Sequence, residues 1–337
     1  MDPVSHALLG AASGLSVSPR NAKIAALAGL AGALLPDADV LISSASDPLL
    51  NVEYHRHFSH ALISAPAGAL IAAGMLWLVL RRRTAFDTLF WPALAGYISA
   101  VLLDACTSYG TRLLWPFADT RFAWSVVAVV DPLPTLMLLA GVILALKAGS
   151  APRARIAIAT VVLYLGVGAL QQARVRDAAE QLAASRGHII SQHEVKPTLG
   201  NLLLWRSIYL ANGKFMVDAV RAGPLSSPVV YPGGGIARIT PADMTPLLPA
   251  ASVQAKDVAR FAQLSEGYLA RHPERPEIIG DVRYAMLPDS VRPIWGIVID
   301  PARPERHVDF VTLRGFTHDD RQRFVGMLRG VAPDTLR

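Results

Sequence analysis

The chain has 337 residues, 52% of them hydrophobic and only 17% charged, against about 25% charged in an ordinary soluble domain. Its 32 Lys+Arg exceed its 26 Asp+Glu by six, and these cations lie beside apolar runs rather than along one stripe, which suits acidic headgroups and not nucleic acid. A mean hydropathy of +0.36 excludes a purely soluble enzyme, a disordered regulator and a coiled coil.

In chain order, residues 4–17 form a short apolar segment without the basic leader of a signal peptide, and read as a short or partly inserted helix. Residues 24–35, 62–80, 89–103, 126–146 and 156–170 follow, each at or near the ~20 residues of a membrane helix and rich in Gly and Ala, as close-packed membrane helices are. From about Arg174 the composition turns polar, and RVRDAAEQLAAS reads as the last helix continuing outward. Residues 202–210 and 215–221 flank Asn212-Gly213, a hairpin signal, and 223–235 reads as a loop. An amphipathic helix is expected over 253–271, strands over 278–287, 294–299 and 308–313, and a closing helix over 318–329. The expected architecture is an α-helical polytopic membrane domain of about six helices, the first one short (1–172). A soluble α+β domain with an antiparallel sheet follows (173–337). The lone Cys106 allows no intramolecular disulfide and no cysteine zinc cluster.

Charge sets the orientation. Arg20, Lys23, Arg81, Arg82, Arg83, Lys147, Arg153 and Arg155 lie on one side of the spans, and only Arg56, Arg112 and Arg121 on the other. The positive-inside rule places the first set in the cytoplasm and both termini, with the soluble domain, outside it.

The polar residues of the membrane half converge by the same counting. His6 opens the first helix, Asp37 and Asp39 follow the second in GALLPDAD, His55, His57 and His60 crowd into HRHFSH, Asp104 ends a span, and Asp131 lies about a turn into the next. All fall on the non-cytoplasmic side; His6 and Asp37, ~14 residues above the basic turn at 1.5 Å each, stand level at about 20 Å. Taken singly each has an ordinary reading: a helix-start polar residue, a turn cap after Pro36, an interfacial loop, a kink before Pro132. Together they are costly, since one ionisable residue at mid-bilayer costs ~2.5–3.5 kcal/mol and adjacent carboxylates repel. A divalent cation relieves both, and a mixed His/Asp set suits Zn²⁺, with Mn²⁺ or Fe²⁺ as alternatives and one or two ions in the site.

At GALLPDAD, HRHFSHAL and LLDACTSYGTRLLWPF the sequence resembles the YdjM-type family of bacterial inner-membrane proteins, called membrane-bound metal-dependent hydrolases. The pattern is an early His (His6), an LPDxD element (Leu35 to Asp39), an HRxxTHS element (His55 to Ala61) and a DxxTxYGT element (Asp104, Thr107, Tyr109, Gly110, Thr111). Ser59 replaces the usual Thr, Ala61 the usual Ser, and His57 stands where Gly is common. The resemblance implies a hydrolase label and inner-membrane location; the C-terminal half, with NLLLWRSIY and GDVRYAMLP, looks like the extra domain of one subset of the family, whose role the resemblance does not imply. A weaker likeness of PDxD to zinc-dependent phospholipase C proteins bears only on the choice of substrate.

The leading expectation is a metal-dependent hydrolase at the outer membrane-water boundary. Its ligands are His6, Asp37, Asp39, His55, His60 and Asp104. Asp39 or Asp131 acts as base, Arg56 neutralises an anionic group on the substrate, and Thr107 and Tyr109 donate hydrogen bonds to it. A lipid or lipid-linked phosphoester fits that level. The sequence lacks HExxH, GxSxG and a P-loop, which disfavours metalloprotease, serine-hydrolase and nucleotide chemistry. The alternatives are a structural metal site or a metal-ion transporter; a transporter carries acids deep along several spans, whereas these gather at one end.

Overall fold

The computed structural model describes residues 1–18 and 21–335; Arg20, one of the cations that set the orientation, lies outside them. Two compact units form. The first comprises Met1–Leu41, Tyr54–Leu170 and Leu199–Asn201, the second Ile42–Glu53, Gln171–Thr198 and the chain from Leu202 onward.

In the first unit, α1 (Pro3–Val17) starts where the Asp2 side chain accepts the Val4 and Ser5 N–H groups and Pro3 fits the first turn. α2 (Ala22–Leu34) tightens at Pro36 into a 3₁₀ turn, Pro36–Leu41. The single-turn helix α3 (Leu50–Tyr54) belongs almost wholly to the second unit; the first continues with α4 (Ala65–Leu80), α5 (Asp87–Ala105), α6 (Pro132–Ala148) and the 35-residue α7 (Ala151–Ser185) as far as Leu170. Among the described residues, Ala22–Leu41, Leu62–Leu80, Asp87–Ala105 and Ala151–Ser185 are long and apolar enough to cross a membrane; α6 is shorter, at 17 residues.

Glycines bring α1, α2 and α5 backbone to backbone. A Cβ at Gly14 would lie 2.2 Å from the Ala25 carbonyl oxygen, one at Gly29 2.1 Å from that of Gly10, and one at Gly96 2.0 Å from that of Gly29. Only residues without a side chain permit such approach, the small-residue packing of membrane helices. The apolar centre of this unit gathers Leu9, Leu15, Leu103, Val127, Leu138 and Val161.

The run 126–146 is not one helix. Its β-branched start is extended, Val127 bridging to Thr107, and α6 begins at Pro132 with Asp131 as its N-cap. Pro132 disfavours helical backbone at Asp131 and is itself well placed in a first turn, so proline overrides hydropathy here.

The second unit carries two four-stranded antiparallel sheets, where the sequence suggested one. β1 (Gln192–Pro197), β2 (Leu204–Ala211), β3 (Lys214–Arg221) and β4 (Val229–Ala237) form the first, in chain order. β5 (Leu269–His272), β6 (Arg275–Asp281), β7 (Trp295–Val298) and β8 (Asp309–Thr312) form the second. Asn212 and Gly213 turn the β2–β3 hairpin with φ of 52° and 72°. The segment read as a loop over 223–235 supplies most of β4, an edge strand where Pro232 costs no ladder bond. The helix expected over 253–271 stops at Leu264 (α8, Val253–Leu264), because Glu266 and Gly267 turn with positive φ into β5. α9 (His318–Arg329) is closed by a Thr317–Asp320 capping box and by Gly330. Leu49, from the segment between the two ligand-bearing motifs, is fully buried in this unit's core with Phe261, Leu269, Ile279 and Ile297.

Candidate metal centre

Three helix ends supply the centre of the cluster. His6 lies in the first turns of α1, Asp37 in the 3₁₀ turn after α2, and Asp104 near the end of α5. One side-chain donor from each lies within 4.8 Å of the others. His6 Nδ1 is 3.1 Å from Asp37 Oδ2 and its Nε2 3.1 Å from Asp104 Oδ1. His60, from the 3₁₀ turn Phe58–His60, brings Nε2 to 3.1 Å from Asp104 Oδ2 and 3.5 Å from Asp37 Oδ1. The side chains of His6, His60 and Asp104 are fully buried, whereas Asp37 retains 23% exposure and is the group of the ring that reaches the surface.

Two observations fit a divalent ion here. His60 Nε2 and Asp104 Oδ2 are buried and face one another, yet neither makes a hydrogen bond. The 3.1 and 3.5 Å from His60 Nε2 to Asp104 Oδ2 and Asp37 Oδ1 are also of the size of a tetrahedron edge around Zn²⁺, about 3.4 Å for bonds near 2.1 Å. Charge agrees, since the carboxylates of Asp37, Asp39 and Asp104 less the Arg56 cation leave two negative charges to balance a dication. Without one, burial opposes a charge on His60, but the carboxylates of Asp104, Asp37 and Asp39 outweigh it and push its pKa up to about 10.

Asp39 and His55 meet one imidazole away from that ring. His55 Nδ1 donates to Asp39 Oδ1 at 3.0 Å, and the His55 side chain is 30% exposed. Asp39 Oδ2 accepts the Arg56 backbone N–H at 2.8 Å and the Ser59 hydroxyl at 2.9 Å, and lies 3.3 Å from His60 Nδ1. Arg56 adopts φ +57°, a left-handed conformation costing a non-glycine residue of order 1–3 kcal/mol. That turn aims its N–H at Asp39 while its buried guanidinium reaches Asp104 Oδ1 at 2.9 Å and Thr107 Oγ1 at 2.9 Å. The amino group of Met1 also rests against Asp104.

Arg56, expected to meet substrate, is thus engaged inside the protein, and so is Thr107, whose hydroxyl donates to the Asp104 carbonyl at 2.8 Å. Tyr109 stands with its ring 5.4 Å from that of His55 and 4.7 Å from the Arg121 guanidinium. Arg121, which sequence reasoning counted only as a loop charge, donates to the carbonyls of Tyr109 and His55. His57 turns aside to Arg112 at 2.8 Å and packs against Trp115. Asp131 is not a turn inside a helix; it caps α6 through the Leu133 N–H and accepts Tyr164 Oη at 2.7 Å, partners that both lie outside the ring.

A second group, Asp47, Asp257 and His307, lies in the other unit. Its cation is already present: Arg260 forks onto both Asp47 oxygens at 3.2 and 3.0 Å and onto Asp257 at 3.1 Å, and also pairs with Glu53. His307 and the Val308 N–H occupy the other Asp257 oxygen. This network anchors residues 42–53 and leaves little for a metal.

Comparison with known proteins agrees with the first unit's motifs. The inner membrane protein YbcI of Escherichia coli (strain K12) is 34% identical over 108 residues, 30% of this chain and 60% of that protein. The chain therefore spans about three fifths of that relative's length. No solved structure matches. Residues 1–175, which carry every member of the His/Asp cluster, match the family described as YdjM inner membrane protein, and the chain belongs to that family.

Proposed function

We propose that this protein is a membrane-bound metal-dependent hydrolase whose ion is held by His6, Asp37, His60 and Asp104. The observation that carries the reading is the pair of buried, unbonded donors, His60 Nε2 and Asp104 Oδ2, inside a ring of imidazoles and carboxylates. A divalent ion there supplies Lewis acidity and brings the ionisation of water towards pH ~7. The chain does the rest. Buried Arg56 holds Asp104 and offsets its charge, fully buried His6 and His60 keep bulk water from the inner side, and partly exposed Asp37 leaves an approach from the surface. His55, Tyr109 and Arg121 stand where a substrate enters and suit an anionic group.

The substrate class that fits is a lipid or lipid-linked phosphoester. The ligands sit at the ends of apolar helices, level with headgroups by residue count, and their grouping at one end favours hydrolysis over ion transport. Zinc is the first expectation for the ion. The bias of Lys and Arg supports a non-cytoplasmic position for this end and for the C-terminal half.

Asp37→Ala and His60→Ala test the reading. Each is expected to abolish metal content and phosphoesterase activity of the purified protein while leaving membrane insertion intact. Retention of the wild-type metal stoichiometry by either variant would refute the assignment.

A further inference from the structure

We infer that Asp39 is a positioning residue for His60 and not a metal ligand, and that the centre takes a single divalent ion; this rests on the metal-centre reading above. An ionised carboxylate offers about four acceptor sites. On Asp39 three hydrogen bonds use them: His55 Nδ1 at 3.0 Å on Oδ1, and the Arg56 N–H at 2.8 Å and the Ser59 hydroxyl at 2.9 Å on Oδ2, which fill the oxygen that lies 3.3 Å from His60 Nδ1. Asp37 and Asp104 differ, because they face the imidazole nitrogens of the ring and Asp104 Oδ2 makes no hydrogen bond.

The consequence lies in which His60 nitrogen carries the proton. A neutral imidazole has one N–H, and with an ion at Nε2 that proton lies on Nδ1, where the Ser59 hydroxyl oxygen at 3.0 Å, itself held by Asp39, and Asp39 Oδ2 at 3.3 Å stand to accept it. Nε2 then presents its lone pair towards Asp37 and Asp104, the carboxylate–histidine arrangement that orients ligands in metal sites. The left-handed backbone of Arg56 completes the clamp, since one residue fixes Asp39 through its N–H and Asp104 through its guanidinium. Charge argues for one ion. Asp37, Asp39 and Asp104 carry three negative charges and Arg56, paired with Asp104, one positive, which leaves two to neutralise one dication and none for a second.

The test uses the purified full chain with Zn²⁺ and Co²⁺ as probes. Wild type is expected to take up one zinc per chain. Asp39→Asn, whose amide favours the wrong tautomer of His60, is expected to bind 10–100-fold more weakly. At saturation it still holds one zinc, with unchanged cobalt ligand-field bands. His55→Gln, which leaves His60 untouched, is expected to keep one zinc and the same bands, and decides the question if Asp39→Asn does not fold. Two zinc ions in wild type falling to one in Asp39→Asn, or loss of zinc at saturation or altered bands in either folded variant, would overturn the inference. Full zinc binding by Asp37→Asn would instead overturn the underlying metal-centre reading.

Discussion

Gly29→Ala tests whether helix packing builds the metal ring. A methyl at Gly29 would sit 2.1 Å from the Gly10 carbonyl oxygen and 2.9 Å from Gly14 Cα and N, where ordinary contacts begin at 3.4 Å. Backbone cannot swing away as a side chain does, so α1 and α2 must part by about 1.3 Å. If that displacement carries to the helix ends, the His6–Asp37 contact grows from 3.1 Å to about 4.4 Å, beyond hydrogen-bond reach. Overpacking of this kind costs ~1–3 kcal/mol, which corresponds to ~5–150-fold in zinc affinity if it is spent at the ring. Chelator competition on purified protein reads the dissociation constant. Gly74→Ala on α4 is the control, because its Cβ meets nothing within 4 Å and zinc binding should not change. Wild-type affinity in folded Gly29→Ala would refute the claim that the glycine contacts set the ligand spacing.

Two further predictions concern pH and orientation. Burial and the nearby Arg176 hold His193 low, to about 4, against the weaker pull of Glu180. Its Nε2 lies 3.1 Å from the Ser207 hydroxyl. Between pH 6.5 and about 4 the unfolded chain therefore binds the extra proton, so stability is full above 6.5 and falls as the pH drops through that window. Urea midpoints across the range should show this slope, and His193→Gln should flatten it; an unchanged slope in the variant would assign the acid loss to other groups. For orientation, a reporter fused after Arg337 should be active only on the non-cytoplasmic side, and activity inside the cytoplasm would invert the topology.

How far the sequence could be read depended on how local the cause was. The apolar runs other than 126–146, the Asn212-Gly213 hairpin and the helix His318–Arg329 follow from neighbouring residues, and the structure has them where the pattern put them. The errors came where a short-range signal competed with another. Proline moved the start of α6 to residue 132, positive φ at Glu266 and Gly267 ended α8 early, and partners in space made an edge strand of a glycine-rich segment. β1 escaped notice because QHEVKP is polar and only its pairing with β2 makes it a strand.

For the candidate site, counting residues along helices was enough to put His6, Asp37 and Asp104 at one level, because rise per residue is fixed and each lies near a helix end. Counting could not divide the acids between roles. Asp37 and Asp39 are two residues apart and chemically alike, yet the tight turn after α2 sends one to His6 and the other to His55. Arg56 reads as a cation free to meet substrate until its left-handed backbone folds it inward onto Asp39 and Asp104. The sequence by itself determined which kinds of donor gather at one end of the helix bundle. Only the tertiary structure decided which of them face a common point and which hold those in place, because that depends on backbone turns and glycine contacts between segments far apart in the chain.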